Sequence, residues 1–297
     1  VNVNNHHIAV SEFPGMIVNQ EYLDLLNEVG LNNFDNIYGF EGGQTVKKIK
    51  ARSICRVEVP FGNETRTLFL KRHRAERPSA WNWIKGRLLS LNVSAGMTEF
   101  RSICDFRKLG ISTALPIAAG ERRVSPLRYE SFLITESMAP FVSLESIIQY
   151  YPEQFIGTEG NKRKIFILNT IADLMRKMHD AGFNHLDFNA DHVMIGPDEN
   201  GGNIRLALLD FQRIDRRQWM RHRWMIKTMA EIFYTLPEPI FSDKDKLFIF
   251  EQYNHRPCTG LWDRFVLNWI IKKAKRIGKH TEKIIIKKQQ SIRENHS

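Results

Sequence analysis

Cysteine is scarce in this chain of 297 residues: Cys55, Cys104 and Cys258 are odd in number and far apart. They offer neither a disulfide framework nor the short spacings of a zinc site, which suits a reducing compartment. Long apolar runs are missing too. No stretch of about 18 apolar residues is available to span a bilayer, and no early apolar segment reads as a signal peptide. There is no internal repeat and no low-complexity linker, which excludes a solenoid or a tethered array. No G-x-G-x-x-G occurs, and the Gly42–Gly43 pair is a poor substitute for one. The adjacent His6–His7 pair lacks both a third partner and the i, i+4 spacing that aims two imidazoles at one ion, so it is not read as a metal site.

Negative charge is the scarcer sign. Acidic residues number 33 against 43 Lys and Arg, giving a formal net charge of +10. The excess is segregated. Residues 66–87 carry seven cations against one acid, residues 213–227 six against one, and residues 271–297 nine against two, while the rest of the chain is net negative. Such segregation implies a polyanionic partner, whether nucleic acid, an anionic membrane surface or a phosphorylated substrate. No nucleic-acid-binding motif accompanies it, so nucleic acid is not expected.

What is present is enough apolar material, 42% of residues, to bury a full core in one large domain or two lobes. Residues 19–29 have helical spacing through Tyr22, Leu25, Leu26 and Val29, with Gly30 as a stop. From Thr45 to Lys71 the pattern becomes short alternating runs around a turn-like Phe61–Gly62–Asn63, an antiparallel hairpin. Helical spacing returns at 97–109, and 131–138 is strand-like. A strong helix pattern runs over 163–179 through Ile165, Leu168, Ile171, Met175 and Met178. The strand-like IRLALLDF follows, and a last helix pattern extends from about Trp262 to Ile277. A strand-rich first third with one helix, followed by a helix-rich remainder, predicts an α+β architecture in two lobes.

Three segments supply, in order, the parts that phosphoryl transfer from ATP requires: a cation on the phosphates, a carboxylate that orients the attacking hydroxyl, and a carboxylate that holds metal. LFLK ends an apolar strand in Lys71, and Glu99 on the next helix is the natural carboxylate to hold that lysine. Taken alone, a lysine at a strand end is more often simply solvated. HLDFNADH places Asp187 two residues after His185, in the position of a catalytic-loop aspartate, and His192 five residues later at the metal position. LLDFQR delivers Asp210 at the end of an apolar strand, where a magnesium-chelating aspartate belongs.

With these residues in place, the segment from about 66 to 235 resembles the lipopolysaccharide kinase family, whose members phosphorylate heptose or 3-deoxy-manno-octulosonate (Kdo) in the inner core. FLKRHR, EFRSICDFRKLGIST, ALPIAAGER and SFLITESM carry the resemblance, and HLDFNADH, with histidine where common protein kinases have asparagine, carries most of it. LLDFQR is similar to the family's Asp-x-x-Arg. The resemblance implies a bilobal protein-kinase-like fold. Residues 1–138 would form an N-lobe with an N-terminal extension and the ATP-binding strand and helix. Residues 139–297 would form a C-lobe with the catalytic loop, the metal-binding aspartate and a basic tail. It further implies Lys71 on the ATP phosphates, Glu99 pairing it, Asp187 as base, Asp210 as metal ligand, and ATP with Mg2+ as cofactors. The substrate would be an inner-core sugar, heptose before Kdo, and the protein would be cytoplasmic, held peripherally at the inner membrane. A small-molecule or protein kinase of the same fold and a catalytically silent nucleotide- or membrane-binding relative are the alternatives.

Leu186 stands where protein kinases carry the arginine that clamps a phosphorylated activation segment, so no such switch is expected. His192 is a soft donor for Mg2+, which prefers oxygen, and Asn189 or Asp191 is an alternative oxygen donor. The stretch 71–92 alternates cations with Trp81, Trp83, Ile84 and Leu88, a composition suited to an anionic membrane interface, although both tryptophans would equally fill a core. Residues 213–223 are placed to grip anionic groups of the acceptor. In the last helix, Phe265, Val266, Trp269 and Ile270 are expected to pack into the C-lobe core, with a free basic tail beyond.

Overall fold

The computed structural model describes residues 8–76, 94–125, 128–198, 203–216 and 221–294. His6–His7, Trp81, Trp83, Ile84 and Leu88, and residues 217–220 of the basic stretch after Asp210 lie outside the described residues. The chain divides into two compact units, residues 1–139 with 208–212, and residues 140–207 with 213–297.

The first unit is a seven-stranded sheet with helices on both faces. Its elements are β1 (Val10–Phe13), β2 (Met16–Asn19), α1 (Leu23–Glu28), α2 (Phe34–Tyr38), β3 (Gln44–Lys48), β4 (Arg52–Phe61), β5 (Glu64–Glu76), α3 (Ala95–Lys108), β6 (Pro116–Ser125) and β7 (Arg128–Glu136). The strand order is β1-β2-β6-β7-β5-β4-β3, with neighbours antiparallel throughout. The expected hairpin is β4 and β5, turned at Gly62, whose φ of +60° suits a residue without Cβ. Alternation along β4 buries Cys55, Val57 and Val59 and leaves Arg56 and Glu58 outside. Leu68 and Leu70 of β5 join them against Tyr22, Leu25, Leu26 and Ile37. Period-two geometry then sends Lys71 to the opposite face, where α3 packs on β5, β6 and β7. Strand β6 carries no strand signal in its sequence: Ala118, Ala119 and Gly120 are weak β-formers, held there by pairing on both sides.

The second unit contains β8 (Val142–Ser143), α4 (Leu144–Tyr150), α5 (Gly157–Asp180), β9 (Phe183–His185), β10 (Val193–Pro197), most of β11 (Ile204–Leu208), β12 (Ile214–Arg216), α6 (Arg221–Thr235), α7 (Asp243–Asn254) and α8 (Leu261–Glu294). Helix α5 matches the long helix expected there, but its buried stripe runs through Leu168, Ile171, Met175 and Met178, and Ile165 is exposed. The expectation for the last helix needs a larger correction. Val266 and Ile270 are buried, whereas Phe265 and Trp269 are 58% and 52% exposed. The two pairs lie on stripes roughly 100° apart, and α6 covers only one of them. The helix also continues to Glu294, beyond the expected end near Ile277. No described helix is long and apolar enough to cross a membrane.

A buried polar chain ties the second unit's helices to β9, the strand before the loop that carries Asp187. His179 of α5 lies 2.9 Å from Tyr253 Oη of α7 through Nδ1 and 3.2 Å from Thr228 Oγ1 of α6 through Nε2. Thr228 spends its proton on Asn184 Oδ1 in β9, at 2.9 Å, so His179 must donate from Nε2 and accept from Tyr253 at Nδ1. That arrangement requires a neutral ring, and burial holds the His179 pKa down at about 3. The unfolded chain binds this proton below its ordinary value of 6.5 and the folded chain does not. Stability is therefore full above pH 6.5 and falls from there toward pH 3, by about 1.4 kcal/mol per pH unit at most for this group. Urea denaturation at stepped pH should show this slope in the wild type, and His179→Gln should flatten it. An unchanged slope in the variant would assign the acid sensitivity to other groups.

Candidate functional site

Strand β5 and helix α3 position the cation expected on phosphates. Gly96, in the first turn of α3, sits so close to β7 that a Cβ there would lie 2.3 Å from Phe132 O. Its N–H donates to Ser131 Oγ at 3.2 Å. This approach brings Glu99, one turn on, to Lys71: Nζ donates to Oε1 at 2.8 Å. Glu99 is 2% exposed, and its Oε2 has no hydrogen-bond partner among the described residues. The single contact between them fixes the lysine's direction, and removing either partner would leave the other charge uncompensated.

Asp210 belongs to the same unit. Leu208 N–H donates to Ser112 O at 2.9 Å, so the end of β11 is stitched beside the segment after α3. Phe211 is buried edge-on against Phe106 of α3, with ring centroids 4.8 Å apart. Gln212 accepts from Arg52 at 2.6 Å, and its amide nitrogen lies 3.4 Å from His73 Nε2. His73 shares the Lys71 face of β5, and Phe106 follows Glu99 by two helical turns, so one strand and one helix hold both the cation and the aspartate. Asp210 takes φ +58°, a left-handed conformation that costs an L-residue about 1–2 kcal/mol and is least costly for Asp or Asn. Strain of this kind gathers at working sites. The contacts of Gln212 escape sequence reasoning because its partners lie 160 and 139 residues away.

In the second unit, the loop after β9 carries Asp187 and His192. Arg213 Nη1 donates to Asp187 Oδ1 at 2.6 Å. The same arginine's carbonyl accepts from Leu186 N–H at 3.0 Å, where β12 pairs with β9. Within the loop, Asn189 Oδ1 accepts from the N–H groups of Asp191 and His192, both at 3.1 Å, so Asn189 is used as a turn-former. His192 Nδ1 lies 2.8 Å from Asp187 O, a carbonyl that can only accept. The proton of a neutral ring is therefore on Nδ1 and the lone pair on Nε2, the form in which imidazole binds metal. Asp191 lies 3.9 Å from that Nε2. No described group of three or more His, Cys, Asp and Glu gathers into a metal site. Mg2+ does not need one, since it commonly uses one or two carboxylates with phosphate and water oxygens. Asp210 suits that chemistry better than His192. The motif reading found Asp187 and Asp210 but gave Arg213 no partner, although the Asp-x-x-Arg spacing contains it.

The buried pair has a stability consequence. Lys71→Met strands an uncompensated carboxylate and should cost about 3 kcal/mol, whereas Glu99→Gln leaves an exposable lysine and should cost less. The double variant should recover part of the loss. Thermal and urea denaturation of the three proteins measure this coupling, and strict additivity would show that the two side chains do not depend on one another.

The lipopolysaccharide kinase (Kdo/WaaP) family model matches residues 71–253. A lipopolysaccharide core heptose(I) kinase WaaP from Pseudomonas aeruginosa is 27% identical over 254 residues, 84% of this chain and 91% of that protein. The enzyme of the same description from Escherichia coli K12 is 25% identical over 247 residues, covering 81% and 89%. A solved structure of WaaP in complex with acyl carrier protein aligns at a TM-score of 0.67 and 24% identity, over 88% of this chain and 98% of that one, which shows a shared fold. The family match takes in Lys71, Glu99, Asp187, His192 and Asp210 and covers more than half of the sequence: this chain belongs to the lipopolysaccharide kinase (Kdo/WaaP) family.

Proposed function

We propose that the protein transfers the γ-phosphoryl group of ATP to a heptose hydroxyl of the lipopolysaccharide inner core. The family is one of kinases, hence ATP users, and the heptose assignment follows the names of the two relatives above. The observation that carries the site assignment is the buried Lys71–Glu99 ion pair on a scaffold shared with Asp210. Lys71 would contact the α- and β-phosphates, with Glu99 keeping its ammonium in one place. Asp210, with His192 as a weaker candidate, would hold Mg2+, whose chemistry is to neutralise charge developing on the transferring phosphoryl group.

Asp187 would take the proton of the attacking hydroxyl. Arg213 on Oδ1 keeps that carboxylate turned, leaving the other oxygen for the sugar. The remaining basic residues after Asp210 would meet anionic groups of the acceptor. Peripheral association with an anionic membrane fits both this acceptor and the segregated positive charge.

Asp187→Asn and Asp210→Asn test the two carboxylates with little disturbance, since asparagine keeps the Arg213 hydrogen bond at 187 and tolerates the left-handed backbone at 210. Each should lower transfer of labelled phosphate from ATP to dephosphorylated core oligosaccharide by about 100-fold or more, with an unchanged circular dichroism spectrum. A folded variant that keeps a tenth of wild-type turnover would remove that residue from its role.

A further inference from the structure

Among the described residues, helix α8 leaves one long face exposed. Val266, Ile270 and Ala274 are its buried side, and Asp263 on the same side is paired with Arg256 at 2.6 Å. The neighbouring stripe, roughly 100° round the helix, opens with four large apolar residues within nine positions: Leu261, Trp262, Phe265 and Trp269, at 85%, 69%, 58% and 52% exposure. Trp262 and Phe265 stack with centroids 5.6 Å apart. Isolated exposed apolar residues are ordinary, but four on two successive turns are not. The same face then changes chemistry. Phe265, Trp269, Lys272, Arg276, Lys279 and Lys283 follow at intervals of three or four residues, so the aromatic end runs into an exposed row of four cations.

We infer that this face of α8 is a docking surface for an anionic lipid leaflet, its aromatic turns at headgroup depth and its cation row on lipid phosphates. The inference deepens the reading of a lipid-linked acceptor. Charge complementarity selects the occupant: the row contains no acid, so an identical face from a second copy would offer its cations no counter-charge. Indole and phenyl rings beside lysines are the composition that settles at a membrane interface without spanning it. A nucleic acid would meet a convex helix with aromatics and cations segregated along the axis, where single-strand binders interleave them in a groove.

The test is co-sedimentation of the full chain with vesicles of phosphatidylcholine alone and with phosphatidylglycerol added, at salt concentrations from about 0.05 to 0.5 M, over which the Debye length shortens several-fold. Wild type should bind the anionic vesicles and lose most of that binding at high salt. Lys272→Glu/Arg276→Glu/Lys279→Glu should lower partitioning at low salt by about tenfold or more. Trp262→Ser/Trp269→Ser should remove the fraction that survives high salt. Both variants alter only exposed side chains, so circular dichroism and phosphorylation of lipid-free core oligosaccharide should match wild type. Unchanged vesicle binding in both variants would overturn the inference. So would equal binding to neutral vesicles, a wild-type dimer that the tryptophan variant dissolves, or tighter binding to an oligonucleotide than to vesicles. Vesicle binding is read without turnover, so a wild type that docks but leaves the core sugar unphosphorylated would instead overturn the kinase reading alone.

Discussion

A carboxylate 2% exposed to solvent needs a cation beside it, and much of the first unit is arranged around meeting that need for Glu99. Gly96 has no side chain because α3 must lie against the backbone of Phe132 for Glu99 to reach Lys71. Lys71 faces α3 because Leu68 and Leu70 face the other core, which the two-residue period of β5 enforces. Two turns beyond Glu99, Phe106 receives Phe211, and so the helix that fixes the lysine also anchors the residue after Asp210. Moving α3 would disturb the cation and the aspartate together, which ties the candidate site's integrity to one helix–sheet contact.

The second unit reaches the same end with neutral hydrogen bonds. The chain from Tyr253 through His179 and Thr228 to Asn184 passes through three helices and ends one residue before His185. His185 is itself buried and lies 3.3 Å, through Nδ1, from the N–H of Asp187. The donor and acceptor assignments along the chain agree with one another, although Asn184 Nδ2 has no partner among the described residues, and such directional contacts restrict how the helices can pack. The position of the loop that carries Asp187 is thus inherited from helix packing away from it.

Much of this was legible in the sequence, for a physical reason. Lys71 and Asp210 end apolar runs and Asp187 follows His185 by two residues, and it is the three in this order, not any one alone, that marked them as candidates. Glu99 was legible because a strand-end lysine meant for phosphates needs a carboxylate on the next helix to hold it. Gln212 was not, since hydrogen bonds to Arg52 and His73 leave no trace in local pattern. Strand β6 was hidden by its alanines. Helix α8 was misread because Phe265, Val266, Trp269 and Ile270 make one broad apolar stripe, and periodicity alone cannot say which half of a stripe a neighbour covers.

The departures from the protein-kinase pattern have a common physical sense. Leu186 removes the arginine that would read a phosphorylated activation segment. The residues after Asp210 are instead held by bonds that need no modification: Phe211 is buried on Phe106, and Gln212 is fixed by Arg52. Arg213 pairs with Asp187, and Ile214 to Arg216 form a strand with Phe183 to His185. An activation segment ordered by phosphate is bistable because its ordering charge comes and goes. Here the ordering groups among the described residues, 211–216, are permanent side chains and backbone amides, which neither come nor go.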